Sequence, residues 1–241
     1  MAGTALYESP LLRQVTGPAL RPGGLALTER AVDWCGFSPG DRVLDLGCGL
    51  GASAAYMAGD HRLKTLGLDI STEMLAEAAL ACQGLPLVRA DIQAIPLTAV
   101  SMDGVVCECV LSLADRPQAV LQECRRVLKP GGSLILSDLY LRNPEQSAPN
   151  FAGCGCLGGA RGREEMEAII SAAGLELLLW EDHSHYLREL AARLIWEHGS
   201  ADAVWGAWHG AECCQLQAAR IAKSRPGYFL MIAQRKAEAV G

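Results

Sequence analysis

Two pairs of cysteines carry the most distinctive chemistry in this 241-residue chain. Cys107-Glu108-Cys109-Val110-Leu111-Ser112-Leu113 closes an apolar run, and Gly153-Cys154-Gly155-Cys156-Leu157-Gly158-Gly159-Ala160 is a glycine-spaced thiol loop ahead of a helical pattern. Thiolates are soft ligands, so two or three converging sulfurs can hold a soft centre such as a trivalent metalloid. If the strand stays regular, alternation puts Cys107 and Cys109 on one face and Glu108 on the other. The same thiols can instead be small apolar fillers, since free cysteine is among the most buried residue types. A second constellation is acidic and glycine-rich. Val43-Leu44-Asp45-Leu46-Gly47-Cys48-Gly49-Leu50-Gly51 is an apolar strand entering a turn and then a helix. Asp69 follows 22 residues after Gly47, and Asp91-Ile92 ends the next apolar run.

Glycines suit a turn where a ligand approaches the backbone, and a carboxylate at Asp69 can accept both hydroxyls of a ribose. Asp91 and Ile92 offer a polar and an apolar contact to an adenine. Gly47, Gly49 and Ala52 also satisfy the G-x-G-x-x-A pattern of nicotinamide dinucleotide sites. Charge separates the two ligands. Asp45, two residues ahead of the first glycine, would repel a pyrophosphate but suits a sulfonium and an ammonium, which points to S-adenosylmethionine.

The elements that must position these groups alternate short apolar runs with amphipathic segments, the signature of βαβ units and a parallel sheet. Strands are expected at 42–46, 65–68, 87–90, 102–110, 133–139, 175–181 and 228–234. Helices are expected at 52–58, 72–82, 117–128 and 163–173. Ser71 or Thr72 can cap the second helix, with Glu73 in its first turn. Lys129-Pro130-Gly131-Gly132 should stop the third helix. Residues 1–34 read as an N-terminal arm with one short helix, whose Tyr7 and Arg21-Pro22-Gly23-Gly24 turn either cover the ligand or hang free. Residues 35–241 read as one domain with a helical cap inserted at about 185–226, containing Trp196, Trp205 and Trp208.

Hydrophobic residues make up 50% and charged residues 20% of the chain, enough apolar material for a full core. The net charge of -6 supplies no field to attract a phosphate backbone, so nucleic acid is not an expected partner. No apolar stretch reaches the ~18 residues of a membrane span, and residues 1–10 lack the pattern of a secretion signal. The expected location is cytoplasmic, with the 10 cysteines reduced. His209 and Cys213, at helical i, i+4 spacing, could join Cys154 and Cys156 as a zinc set. The spacing matches no compact zinc pattern, and no metal is assigned.

Residues 42–140 resemble the class I S-adenosylmethionine-dependent methyltransferases. The resemblance rests on Val43 to Gly51, Asp69-Ile70-Ser71 with Met74, Asp91-Ile92, Asp103 to Leu113, and Val127-Leu128-Lys129-Pro130-Gly131-Gly132. It implies a Rossmann-like α/β fold: a seven-stranded, mostly parallel sheet with an antiparallel last strand and flanking helices. It implies adenosine at Asp69, Ile70, Asp91 and Ile92, and the methionine part at Asp45, Gly47 and Gly49. Cys48, Met74 and Glu108 would complete the cofactor pocket. Around 42–183 the chain also resembles the arsenite methyltransferases, through the Cys-Val ending of the fourth strand and the Cys-Leu-Gly-Gly-Ala run. That match implies Cys109 and Cys156 as As(III) thiolate ligands, with Cys154 as a possible third sulfur. It departs in one respect: the family's upstream cysteine has no counterpart, since residues 1–34 contain none and Cys35 adjoins the first strand. Two alternatives stand beside this one. One is a carbon, oxygen or sulfur methyltransferase of small metabolites, resembling those of quinone biosynthesis. The other is a sensor that binds S-adenosylmethionine without catalysis.

Overall fold

A computed structural model describes residues 10–146, 155–199 and 222–237. Its centre is a twisted sheet in the order β3-β2-β1-β4-β5-β8-β7. The strands are β1 (Arg42–Leu46), β2 (Lys64–Asp69), β3 (Leu87–Arg89), β4 (Met102–Glu108), β5 (Leu128–Leu141), β7 (Leu175–Asp182) and β8 (Pro226–Arg235), with the short β6 (Arg161–Gly162) paired to the end of β5. β1 to β5 are mutually parallel, and β8 runs antiparallel to both β5 and β7. The sheet is therefore the expected seven strands plus one two-residue strand.

Both faces of the central strands are buried, which explains their near-continuous apolar runs. On one face Leu44, Leu46, Val105, Cys107, Leu134, Leu136 and Phe229 pack against α5 (Pro117–Val127) and α6 (Arg163–Ala172). On the other, Val43, Val106, Ile135, Tyr228, Leu230 and Ile232 meet α2 (Gly24–Cys35), α3 (Ala52–Gly59) and the start of α7 (Ser184–His198). Helix α4 (Thr72–Ala81) opens as its sequence requires: Ser71 Oγ accepts from Met74 N at 3.2 Å, and Glu73 lies in the first turn.

Three expectations change. The Lys129-Pro130-Gly131-Gly132 segment does end α5, but it is already strand: β5 begins at Leu128, with a register irregularity against Met102 and Gly104 that accommodates it. The fourth strand stops at Glu108 rather than at 110. The N-terminal arm is more than one short helix. It forms α1 (Pro10–Thr16) and α2, joined by a one-turn 3-10 segment at Gly17–Ala19, and both helices are docked. Leu12 and Leu20 pack with Met74 of α4, and Arg13 donates to Glu77 at 2.5 Å. In the expected cap, α7 is helical, while 200–221, with Trp205, Trp208, His209 and Cys213, falls outside the described residues. Tyr7 and Cys154 do as well.

Candidate active site

The parallel strands β1, β2, β3 and β4 end at the same edge, where open α/β sheets place their ligand crevices. A cavity of about 720 Å³ lies there, lined among others by Gly47, Cys48, Gly49, Asp69, Ile70, Met74, Asp91, Ile92, Glu108 and Cys109. A second cavity, of about 1010 Å³, lies along the end of β5 and the start of α6 and contains none of the motif residues.

At the turn end, the backbone after β1 is tightly held. Gly47 N and Cys48 N both donate to Leu68 O, at 2.7 and 3.0 Å. Gly47 has φ +73°, and a Cβ there would collide with the Val110 side chain, so this glycine is required by packing as well as by conformation. Gly49 has φ +52°, and a Cβ there would touch Met74 Cε at 3.4 Å. Asp69 fixes the turn: one carboxylate oxygen accepts from Gly49 N at 2.8 Å and the other from Ser71 N at 2.9 Å. Each oxygen keeps lone-pair capacity for a ligand hydroxyl. Beside it, Ile70 leaves 59% of its surface exposed, an apolar shelf on the cavity wall. Asp91 turns back to accept from Gln93 N at 2.8 Å.

Asp45 does not reach the cavity wall. Its carboxylate is buried beneath the turn, one oxygen has no hydrogen-bond partner, and burial followed by the charge of Glu108 pushes its pKa up to about 7. Glu108 faces the same side. It accepts from Arg21 Nη2 at 2.5 Å, Ser53 Oγ at 2.8 Å and Thr28 Oγ1 at 3.1 Å. Arg21, from the N-terminal segment, is 4% exposed and lines the cavity. Sequence reasoning noticed its turn but not this ion pair, because 87 residues separate the partners.

The thiol end corrects the alternation argument. Cys107 points into the α5–α6 face, whereas Cys109 lies on the opposite face. The strand ends between them, and Cys109 adopts φ +56°, a left-handed conformation that swings its side chain to the side of Glu108. Cys109 N still bonds Ser137 O at 2.7 Å, and its sulfur sits 3.1 Å from Tyr228 Oη. Cys156 comes from the 3-10 turn Gly155–Leu157, and its Sγ lies 3.6 Å from Cys109 O. Cys109 Sγ, Cys156 Sγ and an Asp138 carboxylate oxygen all lie within 4.8 Å of one another.

A chain of contacts explains why these thiols meet. Asp138 accepts from Ser112 N at 2.9 Å and Ser112 Oγ at 2.7 Å, fixing the turn after Cys109. Gly159 packs directly on the Ser112 backbone, where any Cβ would overlap the Ser112 carbonyl. The glycine pair after Cys156 thus docks one thiol segment on the other. Hydrogen bonding with Cys156 and burial hold the Cys109 thiol well above its ordinary pKa, and burial lifts Asp138 to about 6. Tyr228, buried next to Cys109, is raised too and remains a neutral phenol. Asp138 and Tyr228 carried no local motif in the sequence.

Residues 44–136 match the methyltransferase domain family. Over these residues the chain is similar to the class I S-adenosylmethionine-dependent methyltransferases. Among similar proteins, the methyltransferase GfsG of Streptomyces halstedii is 31% identical over 70% of the chain and 65% of its own length. The arsenite methyltransferase of Halobacterium salinarum is 30% identical over 58% of the chain and 38% of its own length. The crystal structure of the [4+2]-cyclase SpnF superposes with TM-score 0.80 at 25% identity, covering 97% of this chain and 95% of that one. The chain spans 26% to 65% of the length of the curated relatives it matches. Within this fold the matched residues run from β1 into the middle of β5 and include the whole turn end, whereas Asp138, the Cys156 loop, β8 and Arg21 lie outside them. No helix among the described residues is long and apolar enough to cross a membrane.

Proposed function

We propose that the protein transfers a methyl group from S-adenosylmethionine to a small acceptor, and that the acceptor is As(III) held by Cys109 and Cys156. The observation that carries the acceptor is the convergence of two thiols from segments 47 residues apart, one of them on the cavity wall. The residues at the turn end fit the cofactor. Asp69 offers spare acceptor capacity for two ribose hydroxyls, Ile70 and Ile92 an apolar seat for adenine, and Asp91 a polar contact beside it. Gly49, on the cavity wall, offers its backbone to the methionine part. The unpartnered oxygen of Asp45, one layer below, supplies a long-range negative potential rather than a contact. Bound there, the cofactor supplies a methyl group made electrophilic by its sulfonium sulfur.

The chain's own task is to present a nucleophile. Each thiol gives its proton to a departing arsenic-bound hydroxyl, so that As(OH)₃ and two thiols yield a dithiolate of As–OH and two waters. The arsenic lone pair is the nucleophile, which leaves no proton to be removed at the transfer step. Catalysis then rests on positioning. Tyr228 and Asp138, both buried, lie beside the sulfurs, with Tyr228 Oη 3.1 Å from Cys109 Sγ.

A second acceptor class is favoured by Val110, Leu113 and Ala114, which give the cavity an apolar stretch suited to a small metabolite. One experiment divides the readings. Cys109→Ser and Cys156→Ser should each lower arsenite methylation by about 100-fold or more, while affinity for S-adenosylhomocysteine stays within about threefold. Wild-type turnover in both variants would remove the metalloid and leave the metabolite reading.

A further inference from the structure

Arsenous acid carries three hydroxyls and the thiol pair displaces two, so one hydroxyl stays on arsenic and needs a partner of its own. Among the described residues, the third ligating atom beside the pair is an oxygen of Asp138, within 4.8 Å of both Cys109 Sγ and Cys156 Sγ. Asp138 is buried, and its hydrogen bonds come from neutral donors. Oδ2 accepts from Ser112 N at 2.9 Å, and Oδ1 accepts from Ser112 Oγ at 2.7 Å and Leu139 N at 2.8 Å. These bonds account for the turn after Cys109, yet they fill three of the roughly four lone-pair positions of a carboxylate. They also leave its charge without a bonded counter-ion, since Arg161 acts on it only at a distance. An isolated charge in such a place is costly unless a positive one arrives beside it.

We infer that Asp138 is the third catalytic group of the thiol end: it accepts a hydrogen bond from the hydroxyl that remains on the dithiolate-bound arsenic and takes that proton once the arsenic has been methylated. The inference rests on the As(III) reading above and adds a residue and a step to it. Trivalent arsenic with two sulfurs and one oxygen points its lone pair away from all three ligands. Cys109 lines the cavity and Asp138 does not. A hydroxyl drawn toward Asp138 therefore leaves the lone pair facing the cavity. Methyl transfer breaks the carbon–sulfur bond, whose pair stays on the cofactor sulfur, and forms the arsenic–carbon bond from the arsenic lone pair. The positive charge of the sulfonium passes to arsenic, which is now pentavalent and carries an acidic hydroxyl. Its proton moves to Asp138, leaving a neutral arsenic–oxygen double bond and a neutral carboxyl. A carboxylate aimed at charge that develops during the reaction acts most strongly where water is excluded.

Two arsenicals separate this role from that of a residue that only holds the turn. Methylarsonous acid, CH₃As(OH)₂, gives up both hydroxyls to the thiols and has none left for Asp138, whereas arsenite keeps one. Single-turnover methylation by S-adenosylmethionine is followed for both in wild type and Asp138→Asn. The arsenite rate should fall on the order of 100-fold in the variant, the scale of one lost electrostatic partner of a developing charge, and the methylarsonous acid rate should change by less than about threefold. Equal losses for the two substrates, or none for either, overturn the inference. A second readout needs no variant: infrared difference spectra of wild type carrying ¹³C-labelled aspartate. A carboxylate band should move when arsenite is added and stay in place with phenylarsine oxide, which also keeps no hydroxyl after binding two thiols. If Asp138→Asn does not fold, this spectrum decides, and a carboxylate band that arsenite leaves unmoved overturns the inference. The reading beneath it fails separately, if phenylarsine oxide does not protect Cys109 and Cys156 of the wild type from alkylation.

Discussion

The two ends of the cavity are built by different means. The turn end comes from three successive strand ends and one glycine turn, held by bonds between the ends of adjacent strands β1 and β2: Asp69 by Gly49 and Ser71, Gly47 by Leu68. The thiol end is assembled from the terminus of β4, the loop at 155–159, Asp138 of β5 and Tyr228 of β8, brought together only by the tertiary fold. The difference teaches where function varies on a shared scaffold. The turn end falls within the matched domain, whereas of the thiol end only the terminus of β4 does. The cyclase with the same architecture is one named case of this fold beside a different chemistry.

The sharpest way to break this comparison is at Gly159, far from the turn end. Gly159→Ala places a Cβ on the Ser112 carbonyl and must push the Cys156 loop away. Arsenite turnover should fall by roughly 10- to 100-fold, as expected when a reacting geometry is displaced by about an ångström, with S-adenosylhomocysteine affinity unchanged in calorimetry. Equal losses in both would mean that the two ends are not separable.

A second prediction concerns the buried acids that lie beneath each end. Burial lifts Asp45 to about 7 and Asp138 to about 6 from an ordinary 3.8. Between those values the folded protein keeps protons that the unfolded chain has released. The stability that these two carboxyls contribute should therefore be fully present below pH ~4, fall as pH rises toward 7, and be lost above it. Asp45→Asn cannot titrate. It should flatten that slope and raise the ligand-free melting temperature at pH 8, by an amount bounded by about 4 kcal/mol for a shift of roughly three units. A thermal-melt series across pH 5–8 that is parallel in wild type and variant would contradict the burial argument.

The smallest expected effect separates the two neighbouring thiols. Cys107→Ala removes a buried sulfur from the α5–α6 face and should cost about 1–2 kcal/mol by denaturant titration. Arsenite turnover should change by less than about twofold, against the large loss in Cys109→Ser. A comparable loss in Cys107→Ala would put both sulfurs back on one face.

That pair also marks the limit of what was legible. The period of apolar runs, the glycine turn and the strand-end acids are local signals; they locate every expected strand, and Asp69 and Asp91 fall beside the glycine turn on the cavity wall, whereas Asp45 does not. The reading of Cys107 and Cys109 failed because it assumed a regular strand through 110. One left-handed residue at 109 reversed the face, and no rule of alternation foresees it. Arg21 was hidden for another reason: its partners Thr28, Ser53 and Glu108 lie on three elements and become neighbours only after the sheet and α2 have packed. Asp138 looked like one more polar residue of an apolar strand until Ser112 was seen resting on it.

The central claim is that the edge of β1 and β2 holds an adenosine sulfonium ligand through Asp69. Calorimetry of wild type and Asp69→Ala with S-adenosylhomocysteine and with an oxidised nicotinamide dinucleotide tests it most directly. The account predicts one-to-one binding of S-adenosylhomocysteine that weakens by about 10- to 100-fold in Asp69→Ala, the scale of one to two charge-assisted hydrogen bonds, and no saturable heat with the dinucleotide. Saturable binding of the dinucleotide together with none of the adenosine thioether would contradict it.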